Sequence, residues 1–105
     1  MIVVTTDEIE NRRITRVLGM VEGNTARVRN IGGDIMAGLR NIVGGEIKGY
    51  TRLLTEAREQ AIQRMVQRAE EMGANAVVGT RFTTLAVVGG AVGMLVYGTA
   101  VVVEE

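Results

Sequence analysis

Apolar and polar positions repeat with a helical period through the middle of the chain, from Tyr50 to Met72. The apolar residues recur there at spacings of three and four, which places them along one side of a helix of roughly six turns. The opposite side is charged, and Arg52 stands at ion-pair spacing from Glu56. Gly73 follows, at a point where a left-handed glycine closes a helix most easily. The pattern predicts a long amphipathic helix over residues 50–72.

Segments rich in β-branched residues lie on both sides of this helix. Residues 2–5 and 14–21 predict two strands before the helix, with a polar connection between them. Residues 76–84 and 91–103 predict two strands after the helix, joined through a Gly-Gly turn at 89–90. We expect these strands to form an antiparallel sheet that receives the apolar side of the helix.

The region between the second strand and the long helix carries two weaker patterns. Residues 22–25, with the sequence Glu-Gly-Asn-Thr, predict a turn, after which residues 26–31 can continue the sheet. Apolar residues from Ile35 to Val43 then recur at helical spacing behind Asp34, an acid suited to a first helical turn. Gly44 and Gly45 end this pattern. A short helix is therefore predicted before the long one.

The last predicted strand is apolar on both of its faces. One face carries Met94, Val96, Gly98, Ala100 and Val102, and the other carries Leu95, Tyr97, Thr99, Val101 and Val103. The helices can cover one face, and a neighbouring subunit is the simplest cover for the other in a two-layer protein of this size. The alternative is a sheet of the same chain that closes on itself and buries this strand.

Together these elements predict an α+β fold of two layers, in which an antiparallel sheet carries one short and one long helix on one face. A chain of 105 residues falls within the usual range of a single domain. A domain of this size also buries a sufficient core without disulfides or structural metals. We therefore expect residues 1–105 to form one domain.

The stretch from Phe82 to Val103 contains no charged residue and is long enough to cross a bilayer as a helix. Its glycines, its valines and the lack of a basic flank favour a β-hairpin instead. The first residues of the chain show neither the basic start nor the long apolar core of a signal peptide. We expect a cytoplasmic protein that does not associate with membranes.

Three residue types are missing from the sequence, and their absence restricts the chemistry. The chain has no cysteine, no histidine and no serine. Nucleophilic catalysis by serine or cysteine with an imidazole base cannot be assembled from the remaining residues. We therefore predict that the protein is not an enzyme and that it uses no cofactor.

The same absences argue against a metal site. Soft metal ions require thiolate or imidazole ligands, whereas this chain offers only the thioethers of six methionines, which usually fill cores. Hard cations could use Asp34, Glu46 or Glu56, but these acids do not follow the spacing of a calcium loop. We predict no metal ligands.

Polyanion binding is a further alternative. Arginines cluster in the first third of the chain, at Arg12, Arg13, Arg16, Arg27 and Arg29, and could form a basic ring in an oligomer. Twelve basic residues balance twelve acidic ones, however, and the single phenylalanine, Phe82, is predicted inside the sheet rather than available for stacking on bases. The glycine pairs lack the Gly-Lys-Ser/Thr ending of a phosphate loop. The sequence therefore argues against nucleic acid as a partner.

Four polar residues lie close together along the predicted pair of helices, namely Arg40, Glu46, Tyr50 and Arg58. They could converge on a small ligand at a subunit boundary. The alternative is that an arginine and a glutamate pair with each other and lock the helices or bridge subunits. We take these four as the candidate ligand or inter-subunit polar contacts.

Several blocks of the sequence resemble the YbjQ-like family in their order and spacing. The matching blocks are Ala37 to Gly45, Tyr50, Leu54, Ala57-Arg58 and Ala61, Gly73 to Gly79, and Tyr97 to Val101. The resemblance covers most of the chain. It implies a dodecin-subunit-like α+β fold, a homopentamer, and a family of unknown biochemical function that carries a heavy-metal-binding label.

The chain departs from the family at one point that concerns function. Such proteins often have an acidic residue after an Arg-Phe pair, which here is Arg81-Phe82 in the predicted strand over residues 76–84. This chain has Thr83 at that position, followed by an apolar run over residues 85–94. An acidic site at that position is not matched here. We therefore predict a non-enzymatic homopentameric scaffold or binding module. The alternative is a protein that binds a small molecule, an anion or a metal at a subunit boundary.

Overall fold

The computed structural model describes residues 1–28, 42–43, 46–86 and 91–105. Within these residues the chain forms one helix and six strands. In chain order they are β1 (Ile2–Val3), β2 (Ile14–Val28), β3 (Ile42–Val43), β4 (Glu46–Ile47), α1 (Lys48–Glu71), β5 (Ala76–Ala86) and β6 (Ala91–Val103). The two-layer α+β fold predicted from the sequence is confirmed.

The main sheet has four strands in the order β1-β5-β6-β2. Strand β6 lies at its centre and pairs antiparallel with both β5 and β2, while the short β1 pairs parallel with β5. The sheet is therefore mixed rather than wholly antiparallel. Among the described residues it is also open, with β1 and β2 as its edges, so the alternative of a sheet that closes on itself is wrong.

Strand β2 runs without interruption through the segment that was predicted to turn. Residues 22–25 pair in register with residues 94–97 of β6, so the predicted turn is wrong. Gly23 indicated a turn in the sequence, but it lies where the backbone of α1 crosses the sheet. Glycine is needed there because two backbones approach closely, not because the chain reverses.

The larger core lies between α1 and the sheet. Five small or apolar side chains of the helix, four residues apart, form its buried stripe, and they pack on Val21 of β2, Val77 of β5 and four residues of β6. The helical residues are Leu53, Ala57, Ala61, Met65 and Ala69, and those of β6 are Val92, Met94, Val96 and Ala100. All five lie within the apolar stripe predicted from the sequence, so the amphipathic helix is confirmed.

A smaller core lies on the other side of the sheet, which we call the outer face. Ala76 and Val78 of β5 and Val101 and Val103 of β6 are buried there beneath apolar residues of the N-terminal region, namely Ile2, Val4, Ile9 and Ile14. The main chain of this region is tied to β5, since the Gly79 amide donates to the Thr6 carbonyl at 2.8 Å. The expectation that no part of the same chain covers the outer face is therefore wrong for this end of the sheet.

Helix α1 ends through hydrogen bonds that satisfy its last carbonyls. The amide of Ala74 donates to the carbonyl of Ala69 at 3.0 Å, and the amide of Gly73 donates to the carbonyl of Glu70 at 3.0 Å. Gly73 itself has φ = 90°. These features define a Schellman motif and confirm the glycine cap predicted from the sequence.

The predicted short helix falls mostly on residues outside those described. Its last two positions, Ile42 and Val43, form β3 instead and pair with Ile47 and Glu46 of β4. Val and Ile favour strands as readily as buried helix positions, so their spacing alone does not decide between the two. Among the described helices, none has the length and apolar character needed to cross a membrane.

Candidate functional site

The outer face of the sheet exposes large apolar side chains beyond the part covered by the N-terminal region. Met20 is 76% exposed and Val17 is 68% exposed, both on β2, while Leu85 of β5 and Tyr97 of β6 are also exposed. Val17 pairs with Val101, a residue of the outer-face core, so Val17 lies on the outer face. Met20 pairs with Thr99, two residues before Val101 on β6, and therefore lies on the same face. We call these four residues, Val17, Met20, Leu85 and Tyr97, the sheet patch.

Polar residues stand on either side of Tyr97 in the same row of the sheet. Glu22 of β2 pairs with Tyr97 on one side and Arg81 of β5 pairs with it on the other, so all three share the outer face. Arg81 is held in place because its Nη1 donates to the carbonyls of Thr5 at 2.8 Å and Thr80 at 2.9 Å. One negative and one positive side chain therefore border the sheet patch at Tyr97, and their charges balance.

One flank of α1 is bound to the free edge of β2. Arg64 Nη1 donates to the Asn24 carbonyl at 2.7 Å, and Arg68 Nη1 donates to the Glu22 carbonyl at 3.0 Å. One turn earlier, the hydroxyl of Thr25 donates to Oε1 of Gln60 at 2.6 Å. These contacts fix the helix over β2 and occupy main-chain acceptors that an edge strand would otherwise present to another chain.

The predicted polar site is only partly covered by the structure. Arg40 lies outside the described residues, and Glu46 and Tyr50 are described only as parts of β4 and α1. Arg58 is exposed on α1, with its Nη2 3.6 Å from Oε1 of Glu59. The convergence of these four residues therefore stays a prediction.

Three of the five clustered arginines are described, and they do not act alike. Arg12, Arg13 and Arg16 are all exposed, but Arg13 donates to Oε1 of Glu104 through Nη2 at 2.9 Å and through Nε at 3.1 Å. Arg27 has no described side chain, and Arg29 lies outside the described residues. Phe82 is 44% exposed, so the prediction that it lies inside the sheet is wrong.

A cleft of about 390 Å³ lies where the two ends of the chain meet the end of α1. Its lining combines Arg12 and Asn75 with Glu70 and Glu105, so charges of both signs face it. The amide group of Asn75 is already engaged, since it donates to the Val103 carbonyl at 2.9 Å and accepts from the Val103 amide at 2.8 Å. The cleft therefore presents one arginine and two glutamates, which is a mixed lining rather than a cluster of one charge.

One buried side-chain hydroxyl lies in β5. Thr80 is 2% exposed, and its Oγ1 has no hydrogen-bond partner among the described residues. It lies within the sheet near Gly98, at a bulge of β5, and does not line the cleft at the chain ends. A single hydroxyl buried in the sheet, away from that cleft, does not form a binding site.

The sequence signal for the sheet patch was present but incomplete. Strand residues 14–21 showed apolar side chains on both faces, and so did the last strand, which indicated an uncovered outer face. The signal did not locate the patch, because the cover supplied by residues 2–14 depends on how the N-terminal region folds back. The bonds of Arg64 and Arg68 to β2 were missed, since exposed helix arginines usually face solvent.

Comparison with known proteins gives consistent matches over the whole chain. A family model described as "Putative heavy-metal-binding", YbjQ_1, matches residues 1–104. A UPF0145 protein of Colwellia psychrerythraea is 53% identical over 105 residues, which is 100% of both chains. A UPF0145 protein of Methanosarcina acetivorans is 54% identical over 101 residues, covering 96% of this chain and 95% of the relative.

A solved structure has the same fold at low sequence identity. It is a protein of unknown function from Pediococcus pentosaceus, assigned to the DUF74 family. The two chains superpose with a TM-score of 0.66 at 16% identity, covering 99% of this chain and 98% of the other. At this identity the similarity supports the fold alone.

The residues of this chain do not fit a heavy-metal ion. Soft ions select thiolate and imidazole, and the sequence contains neither cysteine nor histidine. Among the described residues, no group of three or more acidic side chains lies close enough to hold an ion. The exposed thioethers of Met1, Met20 and Met72 lie on different parts of the fold. The heavy-metal description of the matching family model is therefore not supported by the donor atoms available here.

Proposed function

The chain belongs to the YbjQ-like family, and from this premise we propose that it is the non-enzymatic subunit of a homo-oligomeric scaffold or binding module. The observation that carries the proposal is the sheet patch, above all Met20 and Val17, which are 76% and 68% exposed. Apolar side chains concentrated on one face of a sheet are a typical feature of a surface that a partner covers.

The size of the patch supports this role. Its four side chains together expose on the order of 400 Å². This area is as large as the largest apolar patches on soluble monomers, and patches of that size are often functional. That area can form the apolar centre of an interface that buries about 800 Å² on each partner. The net charge of the chain is zero, so copies of it do not repel one another at long range.

The number of subunits rests on the family resemblance rather than on the patch. The resemblance implies a homopentamer, and the patch supports association without fixing how many copies take part. The absence of serine, cysteine and histidine supports a role without catalysis, since the common nucleophiles and the common general base are missing.

A second candidate function is the binding of a small molecule or anion at a subunit boundary. The observation that favours it is the position of Arg58, which is exposed on α1 one turn before Ile62. If subunits meet along this part of the helix, Arg58 would border the contact, with Arg40, Glu46 and Tyr50 as the other predicted members. A stoichiometric extra mass on the oligomer that Arg58→Gln removes would favour this candidate.

The main proposal is tested by native mass spectrometry of the wild-type protein and of two matched variants. Met20→Lys places a charge in the sheet patch, and Met72→Lys makes the same change at an exposed methionine beyond the end of α1. We expect a wild-type pentamer that Met72→Lys preserves. Met20→Lys should dissociate it, with the interface Kd raised on the order of 100-fold. A monomeric wild-type protein would contradict the proposal.

A further inference from the structure

Strand β5 presents an unpaired edge along its second half. Strand β1 pairs with the first two residues of β5, and beyond them the amide of Thr80 donates to the Val4 carbonyl at 3.1 Å. From Arg81 to Ala86, β5 pairs with β6 on one side, and no described strand pairs with it on the other. We call residues 81–86 the open edge.

Main-chain groups of alternate residues point out of the open edge. Because the amide of Thr80 donates away from β6, the alternation along a strand places the N–H and C=O groups of Phe82, Thr84 and Ala86 on the same outward side. The groups of the residues between them face β6. A row of outward groups is a template on which a second extended chain can add as a strand.

The two long edges of the sheet differ in how they are protected. On β2, Arg68 and Arg64 of α1 bind the outward carbonyls of Glu22 and Asn24. In the part of the chain that the structure describes, no side chain binds the outward groups of the open edge in this way. The open edge is therefore the one that remains available for strand addition.

Apolar side chains at the open edge are only half covered. Phe82 is 44% exposed on the helix side of the sheet, since it pairs with Val96 of the larger core, and Leu85 is 45% exposed on the outer face. An added strand would cover more of both, because its side chains pack beside those of β5 on each face. Leu85 also belongs to the sheet patch, but the outward main-chain groups come from residues outside that patch.

A fixed positive charge stands at the start of the open edge. Arg81 is exposed on the outer face, and its Nη1 is held by the carbonyls of Thr5 and Thr80. On the β6 side its neighbour is Tyr97, and Glu22 lies two strands away, at about 10 Å. A carboxylate on an added strand would lie directly beside Arg81 and form a closer pair.

A second copy of this chain offers no matching strand among the described residues. Strand β5 contains no acidic residue, so two open edges paired with each other would leave both copies of Arg81 without a carboxylate. The single acid of β2 is Glu22, whose carbonyl Arg68 already binds. Strands β1, β3 and β4 have two residues each. Charge and length therefore favour a segment of a different protein.

We propose that the open edge of β5 binds an extended segment of another protein, which adds to the sheet as a strand. Its recognised features are a carboxylate beside Arg81 and uncharged, β-branched side chains along the rest of the edge. This function goes beyond self-association, because it uses the main chain of β5 rather than the sheet patch.

The test measures the binding of two labelled peptides by fluorescence polarisation. Each is a capped six-residue peptide of alternating valine and threonine, with glutamate in one and lysine in the other at the end that an antiparallel strand places beside Arg81. Thr84→Pro removes an outward N–H, and proline is tolerated at such edge positions because the pairing with β6 does not use that group. Thr84→Val, which keeps the N–H, is the matched control.

We expect the glutamate peptide to bind the wild-type protein and Thr84→Val equally, and Thr84→Pro to raise its Kd on the order of 10-fold or more. The lysine peptide should bind the wild-type protein on the order of 10-fold more weakly, and Arg81→Met should remove this preference. Far-ultraviolet circular dichroism checks that each variant is folded. If Thr84→Pro does not fold, the loss of preference in Arg81→Met decides.

Contrary outcomes are equally definite. Failure of both peptides to bind the wild-type protein, or equal binding to a folded Thr84→Pro, would overturn the inference. Native mass spectrometry separates it from the proposed oligomer, since Thr84→Pro should keep the wild-type number of subunits. If Thr84→Pro dissociates the oligomer, a second copy occupies the open edge, and this inference is wrong while self-association stands. A monomeric wild-type protein that binds the glutamate peptide supports this inference and contradicts only the proposed function.

Discussion

Gly23 shows how a single residue sets the distance between helix and sheet. A methyl group at this position would overlap the carbonyl oxygen of Ala61 and the amide nitrogen of Met65, both of which belong to the helix backbone. Backbone atoms cannot move aside as a flexible side chain can. The close approach lets small residues of α1, such as Ala57 and Ala61, be fully buried against the sheet.

We therefore expect Gly23→Ala to lower the free energy of unfolding by about 3 kcal/mol or more, because the helix must move away from the sheet to admit the methyl group. Urea denaturation at a fixed protein concentration measures the change. Gly73→Ala is the matched control. Gly73 has φ = 90° and open space around it, so its loss costs only backbone strain of about 1–2 kcal/mol. Equal effects of the two substitutions would contradict the steric role of Gly23.

The two glycines also show what could be predicted at this scale. The role of Gly73 was predicted because a helix end is a local feature, set by the residues just before it. Gly23 was interpreted as part of a turn because its true neighbour, α1, lies some forty residues further along the chain. Phe82 was placed inside the sheet for a similar reason. The sequence around Phe82 indicates a strand, but only the position of α1 decides whether the Phe82 side chain is covered.

The edge of β2 is the element that most needs protection from pairing with other chains. It is 15 residues long, and long exposed edge strands promote aggregation. Arg64 and Arg68 bond to two of its carbonyls and place positive charges along it. These arginines come from the helix, so this protection of the β2 edge depends on the packing of α1. It could not be predicted from the strand sequence.

We expect the double substitution Arg64→Met and Arg68→Met to weaken the protein in two ways. Each lost hydrogen bond should lower the free energy of unfolding by about 1 kcal/mol, with the apolar stems of the side chains largely retained. The exposed edge should also promote aggregation on mild heating, which light scattering and thioflavin fluorescence would detect. Arg52→Met, at another exposed arginine of α1, is the control. Scattering no greater than that of the control would argue against protection of the edge.

The elements themselves were predicted unevenly. The long helix and the last two strands were correct, because each has a strong period or a high β-branched content over many residues. Residues 42–43 were assigned to a helix but form β3, since a few apolar positions fit either period. The parallel pairing of β1 was not predicted, because the direction in which a two-residue strand joins a sheet depends on contacts far along the chain.

At the scale of the whole molecule, the outer face of the sheet shows why the sequence indicates an uncovered apolar surface but does not locate it. The sequence showed that β6 is apolar on both faces, and the structure divides its outer face into two parts. One end is covered by the N-terminal region of the same chain, and the rest carries the sheet patch. The candidate polar site could not be placed in the same way, because Arg40 lies outside the described residues and only Arg58 has a described side chain.

The chemistry available to the whole chain leads to a prediction about metal binding. Without cysteine or histidine, a site for Cd²⁺ or Zn²⁺ would have to be built from carboxylates and thioethers, which bind these ions weakly. We expect the protein, after removal of metals with a chelator, to take up no stoichiometric Cd²⁺ or Zn²⁺ at micromolar concentrations. Isothermal titration calorimetry and elemental analysis after gel filtration measure the uptake.

A designed variant shows that these measurements would detect a site if one were present. Gln63 and Gln67 are exposed and one turn apart on α1, so Gln63→His together with Gln67→His places two imidazoles on one side of the helix. This variant should bind Zn²⁺ while the wild-type protein does not, because neutral imidazole is the ligand that the natural sequence lacks. Retention of about one Cd²⁺ per subunit by the wild-type protein would show that carboxylates and thioethers, in one chain or between chains, suffice for a heavy-metal site.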